Sequence, residues 1–189
     1  GKPLVKKAKS FGIELKRLNR DELQLFKDIT SSTSDRRDYQ DKTLDYYQTF
    51  YDSFGDNADF MIATLNFHHY YTNLEKDQGK LAQKIEKLQK DLEVNPNSEK
   101  KQNQLREFSS QFDTFEVRKR DAKEYIEKYG DQDVILAGSL FVYMPQESTY
   151  LFSGSYTEFN KFYAPAVLQE YMMLETIKRG IPRYNFLGI

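Results

Sequence analysis

Arg118, Lys119, Arg120 and Lys123 place four cations within six positions, a grouping suited to meeting phosphates. A second cationic run opens the chain, with seven Lys or Arg against a single acid, Glu14, in residues 1 to 20. Such a run can meet phosphates, or it can be the solvated side of a terminal helix. Between residues 21 and 73 the balance reverses to ten acids against four bases, Lys27, Arg36, Arg37 and Lys42. Zero cysteines exclude thiol catalysis, a disulfide framework and any cysteine-based zinc site. The only histidines, His68 and His69, are adjacent, and no convincing nucleophile-base triad is visible, so the pair reads as structural or solvated and no metal is expected.

The elements that must position these residues follow from periodicity. Apolar residues make up 39% of the 189-residue chain, enough for a real core. IELKRL (13 to 18) alternates as a strand does, and Asn19 or Asp21 can cap a helix over DELQLFKDITSST. A second helix is expected from about Thr43 to Phe54, stopped by Gly55, and DFMIATLNF (59 to 67) reads as a buried strand. Further on, VILAGSLFVYM (134 to 144) and TYLFSGS (149 to 155) form a hairpin about PQES. A helix over 164 to 179 follows, with Ala166, Leu168, Tyr171, Met172, Leu174 and Ile177 as its buried side, and then a strand in IPRYNFLGI.

Between these parts the pattern changes. Leu74, Leu81, Ile85, Leu88 and Leu92 make a heptad seam, which resumes after NPNS (95 to 98) as Leu105, Phe108, Phe112, Phe115, Ala122 and Ile126. Each helix carries one narrow stripe on a highly charged cylinder, with 13 bases and 12 acids in all between Leu74 and Lys128. The reading is an antiparallel two-helix coiled-coil arm over 74–128, turning at Pro96, with two ordinary domain helices as the alternative. The chain is thus α+β, with parts 1–73 and 129–189 of one domain on either side of the arm. No apolar run approaches the roughly 20 residues of a membrane span.

The order β-α-α-β, insertion, β-β-α-β is the layout of a GNAT-type acyltransferase domain. Acetyltransferases of that fold hold coenzyme A on a glycine-rich turn, whereas SGSYTEFNKFYAP at that place has no such cradle. No cofactor is therefore expected. The segments TSDRRDYQDKTLDYYQTFYDSFGD and LFSGSYTEFNKFYAPAVLQEYMMLETIKRGIPRYNFLGI, with an arm of this length, resemble the Fem-type peptidoglycan aminoacyltransferases. The resemblance covers essentially the whole chain and is close to the streptococcal Mur-type branching enzymes. It implies a GNAT-like domain, the second of two in the family, ending before the natural C-terminus and before a functional lysine of the family, so that this chain alone is expected to be inactive.

Further implications concern chemistry and partners. The resemblance implies transfer of an amino acid of the alanine, serine or glycine class from aminoacyl-tRNA to the stem-peptide amine of a lipid-linked or UDP-linked muropeptide precursor. That is cell-wall biogenesis in the cytoplasm, at the inner membrane face, a process tied to cell shape and antibiotic resistance. The family binds the acceptor's diphosphate and sugar with a basic residue and a tyrosine four positions later. Lys42 and Tyr46 match, although lysine stands where arginine is usual and loses the bidentate fork. Arg36 and Arg37 are near enough to substitute, unless they belong to a solvated loop, and Tyr150 and Tyr163 are weaker candidates. The arm implies tRNA contact by analogy with synthetase arms, through Arg118, Lys119, Arg120 and Lys123, or else it is a scaffold. The alternative function is a non-catalytic module whose coiled coil recruits a protein partner.

Overall fold

A computed structural model describes residues 2–186; Leu187, Gly188 and Ile189, the last three residues expected in the terminal strand, lie outside the described residues. The chain divides into two units, one of residues 1–65 and 134–189, the other of residues 66–133.

In the first unit the chain runs through α1 (Lys2–Ser10), β1 (Glu14–Arg17), a short 3-10 turn (Arg20–Glu22), α2 (Leu23–Arg37), α3 (Leu44–Phe54) and β2 (Ala58–Asn66). It resumes with β3 (Asp133–Tyr143), β4 (Ser148–Ser155), α6 (Ala164–Lys178) and β5 (Tyr184–Asn185). The five strands lie in the order β1-β2-β3-β4-β5. Glu14 opposes Thr64 in the antiparallel β1-β2 pair, and a bulge at Leu140/Phe141 interrupts the antiparallel β3-β4 pair. β5 joins β4 in parallel, at Ser148 and Thr149, a pairing that needs a crossover, which α6 supplies. Every residue of β2 is buried, as suits a strand covered on both faces.

Helix α2 turns Leu23, Phe26, Ile29 and Thr33 inward at three- and four-residue spacing. Phe26 meets the edges of Tyr47 and Phe60 at centroid distances of 5.0 and 5.2 Å. Farther along, α2 lies against two glycines paired across β3 and β4, Gly138 and Gly154. A Cβ on Gly154 would lie 2.7 Å from Thr33 Oγ1, 2.8 Å from Ile29 Cγ2 and 2.9 Å from the Ile29 carbonyl oxygen. The bare backbone is what permits this approach.

Two expectations need correction. α2 continues to Arg37, four residues past the expected end, because Thr33 and Ser34 are buried and their hydroxyls bond α2 carbonyls. On α6 the buried side is Ala164, Val167, Leu168, Met172 and Thr176, whereas Leu174 and Ile177 are 57% and 70% exposed. Apolar residues occur all round this helix, so its sequence does not single out one face.

In the second unit, α4 (Phe67–Val94) and α5 (Glu99–Tyr129) pack along their length. Their direction is antiparallel: Asp91 pairs with Lys101 near the turn, while Phe67 stacks on Tyr125 at the other end. α4 starts ahead of Leu74 because the Asn66 side chain accepts the N–H groups of His68 and His69, a cap that starts the helix there. Leu74, Leu81 and Leu88 are buried at heptad spacing, and Gln78 between them is only 6% exposed. Gln78 Nε2 donates to Glu116 at 2.7 Å, and its Oε1 accepts from Lys119 at 3.1 Å, so the polar group inside the seam is paired. Among the described residues no helix is long and apolar enough to cross a membrane.

The close approach at Gly154 predicts that Gly154→Ala lowers the free energy of unfolding by about 1–3 kcal/mol, since backbone as well as side-chain atoms must move. Gly79→Ala, in the middle of α4 with nothing within 4 Å of the added carbon, should raise it by about 0.5–1 kcal/mol. Urea unfolding of both variants measures the two shifts.

Candidate functional site

Lys27, Thr30 and Ser31 recur at three and four positions on α2 and so share one helical face. Asp41, on the segment between α2 and α3, is received by all three. Its Oδ2 accepts from Lys27 Nζ at 2.8 Å, Thr30 Oγ1 at 2.7 Å and Ser31 Oγ at 3.2 Å. Its Oδ1 accepts from the Tyr47 hydroxyl of α3 and from the Lys42 backbone N–H, each at 2.8 Å. The Asp41 side chain is 8% exposed. Burial pushes its carboxyl up, but hydrogen bonds from Lys27, Thr30 and Tyr47 outweigh that and hold it below the ordinary carboxylate range. Burial, reinforced by the Asp41 charge, pushes the Tyr47 phenol well above its ordinary value, so it remains a donor at neutral pH. This joint fixes residues 38–43 against both helices.

Two clefts flank it. One, of about 300 Å³, is lined by Arg37, Tyr39, Gln40, Asp41, Lys42 and Ser153 among others. The second, of about 170 Å³, holds Thr33, Tyr150, Ser155 and Gln169. Arg37 and Ser153 line both. The region is thus a polar recess between the end of α2 and strand β4.

Lys42 and Tyr46 do meet, but not as neighbours on one helical face. Lys42 precedes the N-cap residue Thr43, and its ammonium lies over the Tyr46 ring at 5.2 Å from the centroid. Arg36 and Arg37 sit on the last turn of α2 and not in a loop. Arg36 Nη1 donates to the Ser155 carbonyl at 3.1 Å, whereas Arg37 has no hydrogen-bond or ion-pair partner among the described residues. Tyr150 is buried, its hydroxyl accepting from Ser139 at 2.7 Å, and burial raises its pKa. Tyr163 lies apart from this recess, in the left-handed region (φ 56°) before α6, with Lys7 over its ring at 5.9 Å.

On α5 the four basic residues do not share one surface. Successive helical residues diverge by about 100°, so Arg118, Lys119 and Arg120 point three ways. Lys119, its side chain 18% exposed, pairs with Gln78 and Glu116 and lies over Tyr71. Lys123 also lies over Tyr71, at 5.6 Å. Burial pushes the nearby Tyr70 phenol up to about 12, a rise that the Arg118 charge opposes. His68 and His69 are exposed on the first turn of α4.

Asp41, Lys27, Tyr47 and Ser153 escaped sequence reading. Lys27 with Thr30 and Ser31 gave a weak signal, a polar stripe at helical spacing beside the apolar one, but nothing local linked it to Asp41. The recess can hold an anionic, partly aromatic ligand, and it presents no nucleophile-base pair. Among the described residues no group of three or more His, Asp or Glu is placed to hold a metal ion.

A model of the FemAB family matches residues 1–189. Aminoacyltransferase FemA of Staphylococcus epidermidis (strain ATCC 35984) is 28% identical over 185 residues, 98% of this chain and 44% of the relative. Aminoacyltransferase FemA of Staphylococcus aureus (strain N315) gives the same identity and coverage. The chain therefore spans less than half the length of these relatives. A solved structure described as a crystal structure of FemX superposes with a TM-score of 0.80 at 22% identity, over 96% of this chain and 46% of that one, a likeness of fold.

Because the folded Asp41 carboxyl titrates below its unfolded value of about 3.9, its stabilisation is complete above that value and is lost as pH falls through the folded one. Asp41→Asn should be less stable than wild type at neutral pH, and the gap should narrow below about pH 4. Urea midpoints from pH 7 to pH 3 measure this; parallel curves would remove Asp41 from the account.

Proposed function

The chain belongs to the FemAB family, and from that premise we propose that it works in an aminoacyltransferase that builds the peptidoglycan interpeptide bridge. The reaction is transfer of an amino acid of the alanine, serine or glycine class from aminoacyl-tRNA to the stem-peptide amine of a UDP-linked or lipid-linked muropeptide precursor. The observation that carries this reading is the match over the whole chain to relatives named aminoacyltransferase FemA. In this reading the sheet unit is a GNAT-like domain, formed by residues 1–73 and 129–189, and the helical pair is an antiparallel coiled-coil arm of about residues 74–128. The enzyme works in the cytoplasm, at the inner membrane face when the acceptor is lipid-linked.

The recess beside Asp41 is the acceptor site. Lys42 and Tyr46 present a cation over an aromatic ring at its mouth, suited to a phosphate next to a sugar or base, and Tyr150 lines its inner part. Chemically the step is aminolysis of an activated ester. The amine nitrogen forms a bond to the ester carbonyl carbon, the bond to the tRNA ribose oxygen breaks, and the proton lost by the amine ends on that oxygen as a hydroxyl. An ester this reactive needs positioning above all, which fits a recess without a nucleophile-base pair. For the arm, tRNA contact falls to Arg118, Arg120 and Lys123, with Lys119 drawn into the helix pair.

The full-length protein is expected to transfer radiolabel from a charged tRNA to a pentapeptide muropeptide, and RNase should abolish the transfer. Lys42→Ala should raise the acceptor KM by about tenfold with a smaller effect on kcat. Deletion of residues 74–128 should weaken dependence on tRNA concentration and leave acceptor binding in place. A well-folded protein inactive with alanyl-, seryl- and glycyl-tRNA would overturn the enzymatic reading and leave a binding module in its place.

A further inference from the structure

Cations in the recess differ in whether their charge is already answered. Lys27 is bonded to Asp41, Arg36 is tied to the Ser155 carbonyl, and the Lys42 ammonium rests on the Tyr46 ring. Arg37 alone among these four has neither a hydrogen bond nor an ion pair nor a ring contact within the described residues, yet it lines both clefts. The adjacent carboxylate, Asp41, already accepts five hydrogen bonds. Asp35 and Asp38 flank Arg37 in sequence but line neither cleft.

We infer that Arg37 is the fork that grips a phosphoryl oxyanion of the acceptor, an assignment that rests on the acceptor-site reading above. Lys42 is then a secondary point charge, and Arg36 is a strap that holds the end of α2 to β4. A guanidinium offers two parallel N–H donors to two oxygens of one phosphoryl group, which an ammonium cannot do. Of the charged residues that line the two clefts, Arg37 and Lys42 outnumber Asp41, an excess of positive charge that draws an anion. The position suits the task, since the backbone from which Arg37 reaches is held on one side by Arg36 on Ser155 and, four residues on, by the Asp41 joint.

The test is direct binding of inorganic pyrophosphate and of UDP to the full-length protein by titration calorimetry, with acetate and D-alanyl-D-alanine as carboxylate probes. Wild type should bind both phosphorylated probes saturably and the carboxylates far more weakly. Arg37→Ala should lose about tenfold or more in affinity, and Arg37→Lys should recover only part of it. Lys42→Ala should lose less than Arg37→Ala, and Arg36→Ala, which loosens the strap but keeps the fork, should also lose less than Arg37→Ala while unfolding at lower urea. Unchanged binding in Arg37→Ala, full recovery with lysine, an equal loss in Arg36→Ala, a preference for the carboxylates, or no saturable binding by wild type would each overturn the assignment. Transfer of radiolabel is read separately. Transfer that persists in Arg37→Ala with unchanged oxyanion affinity sinks the assignment and spares the enzymatic reading. Oxyanion binding that depends on Arg37 in a protein without transfer does the reverse.

Discussion

Helix α2 lies nearer to strand β4 than a side chain at Gly154 would permit, and the recess depends on that approach. It brings Thr33 Oγ1 within 3.1 Å of the Ser155 N–H and Arg36 within reach of the Ser155 carbonyl. A helix standing off by the thickness of one methyl group would lose both bonds. Arg37, one residue beyond Arg36, would then lose its fixed place between the two clefts. A packing constraint in the sheet is thereby converted into a defined position for a charge.

Electrostatics completes what packing begins. Asp41 is buried with Lys27 beside it, an arrangement that is weak as a source of stability when the whole pair is compared with apolar residues. Its use is geometric. Five donors from α2, α3 and the intervening segment converge on one carboxylate, so residues 38–43 have one arrangement in which all of them are satisfied. With the charge of Asp41 spent on Lys27, the remaining cations act outward.

Sequence periodicity revealed those elements whose burial is itself periodic. The Leu74, Leu81, Leu88 seam is of this kind, and the nine successive buried residues of β2 were legible instead as one largely apolar run. It failed where burial is decided by distant partners. The polar tail of α2, SSTSDRR, has poor helix propensity, and only its packing on β4 shows why it stays helical. On α6, Leu174 and Ile177 are as apolar as Leu168 and Met172, and the elements packed against the helix, α1 and β4, decide which are covered. The recess was legible in part: Lys42, Arg37 and Tyr150 line it, and Tyr46 lies beneath the Lys42 ammonium. The role of Asp41 was not, because its contacts to Lys27 and Tyr47 obey no local spacing rule.

Under the proposed acceptor role, the lysine at position 42 stands where the family resemblance implies an arginine. Under the acceptor-site reading, the two properties that arginine combines are divided. Stacking against an aromatic ring goes to Lys42 over Tyr46, and bidentate hydrogen bonding goes to Arg37. An ammonium is a poor fork but a good partner for a ring face, whereas a guanidinium at the end of a pinned helix is a good fork. Such a division places the two cations on different elements, α2 and the start of α3, with Asp41 bonded to both elements. The acceptor's charge would then be read by the same joint that fixes the fold around it, which makes Asp41 the residue through which stability and acceptor affinity are coupled.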